Sequence, residues 1–283
     1  MSSVAAGLRC LTLNVLGPAN PDWERRSRLI GAELRAQQAD VVALQEVPTD
    51  ERLDELLGPG YHVTPFSQTS EDGTGGVLAT RAEHRVLEEI GQGTPENGQD
   101  LPWYATLVVE LESSVGSLVV AHHKPSWPFP LEVEREQQAL RAASAVERWA
   151  GDRPAVVLGD FDATPDSASM QLWRGRRSLE DVSVCYQDAW ETVRGDEPGL
   201  TFTSENPLVR AGEVATAISR RIDYVLVRAG RHGPMLQVVD CRRLLDHPVE
   251  GVWASDHFGV VADLALPHHP PGSWADYPAA EPG

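Results

Sequence analysis

WYATLVVELESSVGSLVVAHH, residues 103–123, sets two strand-like runs, WYATLVVEL (103–111) and SLVVAHH (117–123), almost directly against each other with no helix between them. Strands joined this way pair antiparallel, whereas a doubly wound parallel sheet needs a helical crossover at each joint. Working outward, the same alternation or short buried run recurs in LRCLTLNV (8–15), VVALQEV (41–47), GGVLAT (75–80), AVVLGDF (155–161), RIDYVLV (221–227) and GVVADLAL (259–266). Only two long helical patterns interrupt them. DWERRSRLIGAELRAQQ (22–38) spaces Trp23, Ile30 and Leu34 along one helical face behind Asp22 as a candidate cap, and a second amphipathic stretch runs near Leu131 to Trp149. Many strands with few helices predict an α+β chain whose core is one sheet packed on another and covered by helices.

Composition bounds the rest. The 283 residues are 41% hydrophobic and 23% charged, which excludes a collagenous or wholly disordered chain. No Pro/Gly/Ser-rich linker divides the sequence, so residues 1–267 read as a single domain and 268–283 as a Pro-rich tail that frays. Cys10, Cys185 and Cys241 are too few and too scattered for a disulfide framework or a four-cysteine zinc site, which suggests a reducing compartment. With no secretory pattern at the N-terminus and no apolar run of about 18 residues, a cytoplasmic protein without membrane insertion is expected. A net charge of −18 opposes polynucleotides and anionic membranes, so any phosphate site must overcome that field locally.

Position relative to the strands singles out a few of the 42 acidic residues. Asn14 ends the first strand, Glu46 the second, and Asp160 and Asp162 close AVVLGDF; Asp223 lies in RIDYVLV, and Asp256-His257 precede the last strand. Hard divalent cations take oxygen ligands, and Mg²⁺ binds through one or two carboxylates while keeping waters for a phosphate. Each residue alone also has a plain structural explanation: a solvated strand end for Glu46, a turn for Asn14, a helix cap at Asp166 or Ser167 after GDFDATPD, an edge charge paired with Arg220 or Arg221 for Asp223. The order of the whole set is what points to chemistry.

In that order, the Asn of LTLNV, the Gln-Glu of LQEV, the histidine of VVAHHKP, LGDFD, RRIDYVLV and ASDHFGVV resemble the motifs of the endonuclease/exonuclease/phosphatase superfamily, over about residues 8–266. The resemblance implies a four-layer αββα sandwich of two packed, mostly antiparallel sheets flanked by helices, with the site at one edge of the sheets. It implies a divalent metal, Mg²⁺ or Mn²⁺ as one or two ions, held by Glu46 with support from Asn14 and Asp256. Asp160 would orient or deprotonate the attacking water, His257 held by Asp223 would contact the scissile phosphate, and His123 would donate from the opposite side. Metal ions stabilise developing phosphoryl charge and lower the pKa of bound water, so the set is chemically coherent.

Two positions depart from the family pattern. Asp162 stands where most relatives have Asn, which replaces a hydrogen-bond donor by a carboxylate and raises the prospect of a second metal. His122-His123 is a doublet where one histidine is usual, and the strand frame favours His123. Lys124, the only lysine, follows at once and offers a point charge to phosphate, unless it is an exposed strand-end residue. Trp127 offers an apolar wall and Asn206, in GLTFTSENPL, a reach into the site. The expectation is hydrolysis of a phosphomonoester or phosphodiester in a small or medium-sized phosphorylated substrate. The alternatives are a nuclease, a sphingomyelinase-like phosphodiesterase, and a phosphate-binding module with an inactive site; charge disfavours the nuclease, since backbone binders present a basic stripe.

Overall fold

The protein is described from a computed structural model over residues 7–91, 104–212, 214, 216, 218–269 and 271–273. Trp103, the first residue of one strand candidate, and most of the Pro-rich tail lie outside the described residues.

The chain runs β1 (Gly7–Asn14), α1 (Trp23–Gln37), β2 (Val41–Pro48), α2 (Arg52–Leu57), β3 (His62–Pro65), β4 (Thr74–Thr80), β5 (His84–Gly91), β6 (Ala105–Ser113), β7 (Gly116–Lys124), α3 (Glu132–Ala150) and β8 (Ala155–Asp160). It continues through α4 (Ala168–Trp173), β9 (Tyr186–Asp188), α5 (Ala189–Arg194), α6 (Pro207–Ala211), β10 (Asp223–Gly230), β11 (Gly233–Pro234), β12 (Gln237–Leu244) and β13 (Gly259–Ala265). One sheet has the order β12-β13-β1-β2-β4-β3 and the other β11-β10-β8-β7-β6-β5, with β9 beside β10. All the pairings are antiparallel except β1 with β2 and β7 with β8.

Side-chain parity explains the layering. Leu118 and Val120 of β7 meet Cys10, Ala43, Leu78 and Ala262 of the other sheet in an inter-sheet core, while Val119 and Ala121 face outward onto Ala139, Ala142, Val146 and Trp173 of α3 and α4. On the far side, Leu11, Leu13, Val42 and Leu44 pack under Ile30 and Leu34 of α1 and Leu53 and Leu56 of α2. Four layers result, each fully buried aliphatic side chain contributing about 1.5–3 kcal/mol of transfer energy. At the start of α1, Asp22 adopts a left-handed conformation and makes no side-chain cap; its carbonyl accepts from Arg25 and Arg26 instead. No helix among the described residues is long and apolar enough to cross a membrane.

This topology gathers the strand-end residues. Because β1 and β2 run parallel, as do β7 and β8, Asn14, Glu46, Lys124 and Asp160 all arrive at one edge of the packed sheets. β10 begins at that edge, since Asp223 pairs in register with Asp160, and the segment carrying Asp256 and His257 enters β13 there.

Candidate active site

Backbone irregularities aim the two key side chains. Glu46 sits at φ 53° where the β2–β4 register shifts between Leu44 and Val47, a bulge that turns its carboxylate out of the sheet. Asp162 sits at φ 52°, a left-handed conformation that Asn and Asp tolerate better than most residues. Gly159, just before Asp160, has no alternative: a Cβ there would lie 2.1 Å from the carbonyl oxygen of His123 on the neighbouring strand.

Asn14 joins the two sheets at the site, its Nδ2 donating to Glu46 Oε1 at 2.9 Å and to Asp160 Oδ2 at 3.1 Å, while its Oδ1 accepts from the Leu16 N–H. Lys124 is buried, contrary to an exposed strand-end lysine. Its Nζ donates to Asp160 Oδ2 at 2.7 Å and to Asp162 Oδ2. Burial works against the ammonium, but the charges of Asp160 and Asp162 outweigh it and hold Lys124 well above the ordinary lysine range. Burial likewise works to raise Asp160, yet Lys124 and His257 hold that carboxyl below the usual range. Asp162 goes the other way: burial and then the Asp160 charge push it up.

His257 Nδ1 lies 3.0 Å from Asp223 Oδ2, and Nε2 is 3.9 Å from Asp160 Oδ2. Burial opposes its protonation, but the charges of Asp223 and Asp160 push the imidazole up to about 10. Thr201 Oγ1 accepts from the Ile222 and Asp223 N–H groups, and Ser255 Oγ donates to the Asn14 carbonyl, so the GLTFTS loop and the SDH turn are fixed against the strand ends.

Glu46, Asp256, Asp160, Asp162, Lys124, His257 and Trp127 all line one cavity of about 920 Å³. Three expected site residues do not: Asp223, which reaches the site only through the imidazole of His257, and His123 and Asn206. His123 is turned away, because odd-numbered residues of β7 face the helices: its ring packs edge-on against Phe161 and Trp173, and Nδ1 lies 2.7 Å from Thr106 Oγ1. His122 has the inward parity, 2.7 Å from Gln45 Nε2 and against Phe66, but it too is buried behind the cavity wall. Asn206 spends its polar atoms within the fold, capping α6 through the Leu208 N–H and donating to the Ser255 and Asp256 carbonyls, so it positions the turn that carries Asp256.

Arg26 is a site-bracing residue that the sequence does not single out. It is buried and donates to the carbonyls of Pro21, Val15, Leu16, Gly17 and Ala254, bracing the loop below the cavity; a buried arginine carries no periodic signal. Arg221, flanking Asp223, pairs with Asp188 at 2.6 Å rather than with Asp223.

The donor set fits a hard divalent cation. Glu46 and Asp256 are half-buried carboxylates that form no ion pair among the described residues, and after burial the Asp256 charge is what pushes Glu46 up. Ligand atoms of Asp160, Asp223 and His257 also lie within 4.8 Å of one another, but Asp160 is held by Lys124 and Asn14, and His257 by Asp223. Glu46 and Asp256, each hydrogen-bonded through one oxygen only, to Asn14 and to Ser255, are therefore the carboxylates with an oxygen left to ligate.

The family model described as the Endonuclease/Exonuclease/phosphatase family matches residues 11–257. The chain belongs to this family. It is accordingly a hydrolase of phosphoester bonds. The protein is similar to a D. rerio TDP2 humanized by 14 mutations, with 19% identity, 93% of this chain and 100% of that one covered, and a TM-score of 0.69. The human Nocturnin catalytic domain with bound sulfate anion gives 21% identity, 94% and 97% coverage, and a TM-score of 0.67. An endonuclease/exonuclease/phosphatase from Beutenbergia cavernae gives 26% identity over 92% of this chain and 72% of that one, with a TM-score of 0.65. No curated protein matches the chain in sequence. The shared architecture is the αββα sandwich that the family resemblance implies.

Proposed function

We propose that this family member hydrolyses a phosphomonoester or phosphodiester in a small or medium-sized phosphorylated substrate, with a divalent cation, Mg²⁺ or Mn²⁺, held by Glu46 and Asp256 and supported by Asn14. The carrying observation is the convergence of Glu46, Asp256, Asp160 and His257 on one cavity, the first two each with an oxygen left to ligate and the last two held in place by neighbours. When bound, such a cation lowers the pKa of a ligated water and neutralises phosphoryl charge. Asp160, fixed by Lys124 and Asn14, would orient the attacking water and accept its hydrogen bond. His257, fixed through Nδ1 by Asp223, presents Nε2 to a phosphoryl oxygen. The three free thiols support a reducing, cytoplasmic setting.

Release of p-nitrophenol from p-nitrophenyl phosphate and from bis(p-nitrophenyl) phosphate tests the reading and separates monoesterase from diesterase. Turnover should require Mg²⁺ or Mn²⁺, vanish in excess chelator, and fall together with metal affinity in Glu46→Gln; undiminished turnover in chelator removes the metal from this account. A nuclease is the second reading, favoured by the fold shared with a D. rerio TDP2 structure complexed with single strand DNA product. The net charge of −18 weighs against long nucleic acid.

A further inference from the structure

Among the described residues, one lysine and one arginine, Lys124 and Arg220, line the cavity beside His257, and they differ in one respect. Lys124 is committed to Asp160 and Asp162. Arg220 forms no ion pair among the described residues, and its Nε is buried without a hydrogen-bond partner. The adjacent Arg221 shows the contrast, paired with Asp188 at 2.6 Å and Glu191 at 3.3 Å. In a protein with 42 acidic and 24 basic residues, an arginine left unpaired in the active cavity is unexpected on supply alone.

Arg220 is nonetheless held in place. Its backbone N–H donates to the Phe202 carbonyl, and its own carbonyl accepts from Thr201 and Phe202. The guanidinium carbon lies 4.2 Å from the centre of the Phe129 ring and 5.6 Å from that of Phe202. Stacking fixes the plane of the fork and leaves its N–H groups to be satisfied by an acceptor, and planar bidentate anions are what that fork matches. Phe202 also touches His257, with ring centres 4.9 Å apart, and its backbone bridges to both Arg220 and His257, so one residue contacts the imidazole and the guanidinium alike. Leu208, Val209, Ile222 and Trp127 continue the apolar wall around that ring.

We propose that Arg220 determines substrate specificity by binding a second anionic group, and that the substrate is a phosphoester with a flat apolar body lying along Phe202, its scissile phosphate at His257 and a further phosphate or carboxylate at Arg220. The proposal rests on the phosphoesterase reading for which end is cleaved, but its own test is binding. The Phe129–Arg220 stack as a mere latch between loops is the competing account, and the ratio of two affinities separates them.

The experiment titrates the protein by calorimetry, with Ca²⁺ in place of Mg²⁺ to slow hydrolysis, against thymidine monophosphate, thymidine bisphosphate and fructose bisphosphate. A charge-assisted pair should make the nucleoside bisphosphate bind the native protein about tenfold or more tighter than the monophosphate. Arg220→Gln should bring that ratio to about one while leaving the monophosphate within about twofold, and Arg220→Lys, which keeps the charge but not the fork, should fall between. Equal binding of both nucleotides by the native protein, or a ratio unchanged in Arg220→Gln, overturns the proposal. Parallel loss for both ligands assigns Arg220 to the latch and overturns it as well. Phe129→Leu removes the stack and keeps the guanidinium; should Arg220→Gln fail to fold, a ratio preserved in Phe129→Leu and reduced in Arg220→Lys supports the anion role, and an unchanged ratio in Arg220→Lys refutes it. Fructose bisphosphate binding as tightly as thymidine bisphosphate refutes the flat apolar body. Failure of metal-dependent hydrolysis leaves these ratios readable, so the two readings fall separately.

Discussion

Replacing Lys124 by Met removes the only ammonium from a buried set of carboxylates, and the geometry gives the scale of the effect. Its Nζ lies 2.7 Å from Asp160 Oδ2 and contacts Asp162 Oδ2 as well. At an effective dielectric constant of about 20 one such contact carries roughly 6 kcal/mol of Coulomb energy, most of it offset by desolvation, while breaking a buried pair from one side costs about 3–5 kcal/mol. Lys124→Met should therefore lower the unfolding free energy by about 3–5 kcal/mol at neutral pH without divalent ion. Asp162→Asn removes a carboxylate already pushed up by burial and should cost about 1 kcal/mol or less, because an amide oxygen still accepts from Lys124. Combined, the two substitutions should recover about 2 kcal/mol relative to additivity. Urea denaturation of the four proteins measures this, and repeating it with Mg²⁺ adds a second test: the cation should stabilise Lys124→Met more than the native protein, since it replaces the lost charge. Additive costs, or a Lys124→Met protein as stable as the native one, would refute the idea that Lys124 is the cation that accommodates Asp162 in place of an amide.

Asp223→Asn and His257→Ala should each slow turnover, and the double variant should be little slower than the worse single one, because the carboxylate acts through the imidazole; multiplicative losses in steady-state kinetics would separate the two residues. His122 and His123 are both pushed down to about 3 by burial, so the unfolded chain binds protons that the folded chain refuses. Stability should fall as pH drops from about 6.5 toward 3, by up to about 1.4 kcal/mol per pH unit for each histidine, and His123→Phe should remove roughly one proton from that slope in pH-dependent urea melts while keeping turnover within about threefold. For a small phosphoester, kcat/KM at fixed Mg²⁺ should rise with added monovalent salt, which screens the net charge of −18; a steep fall, as for phosphate-backbone binding, would favour the nuclease.

The central strands were legible because their runs are apolar and bounded by turns, and their ends delivered Asn14, Glu46, Asp160, Asp223 and His257 to one edge once topology was imposed. Edge strands were not: HRVLEEIG of β5 and QVVDCRRL of β12 carry charges along an outer rim, as edge strands do to avoid pairing, and so lack the apolar signature. The frame of the histidine doublet was lost for the opposite reason. β7 is buried on both faces, so LVVAHH has no polar phase to say which neighbour points inward. Lys124, with the parity of Leu118 and Val120, held the missing phase, but only its pairing with Asp160 makes that visible. Long-range side-chain partnerships such as Arg26 with the Ala254 carbonyl leave no local trace at all.

Charge balance at the cavity bears on how many metal ions it takes. Lys124 cancels one carboxylate of the Asp160–Asp162 pair, and His257 in its protonated form cancels Asp223. Glu46, Asp256 and one remaining carboxylate are left facing the space where a phosphate would sit. A single divalent cation would match the Glu46–Asp256 pair in charge. A second divalent ion at Asp162 would have to displace Lys124 from a site where it is buried among acids, exposing an ammonium to a cation at contact distance. Like charges that close in a poorly hydrated cavity repel strongly. On the proposed reading, then, Lys124 is the cation that partners the carboxylate at position 162, and a second divalent ion there would have to compete with it.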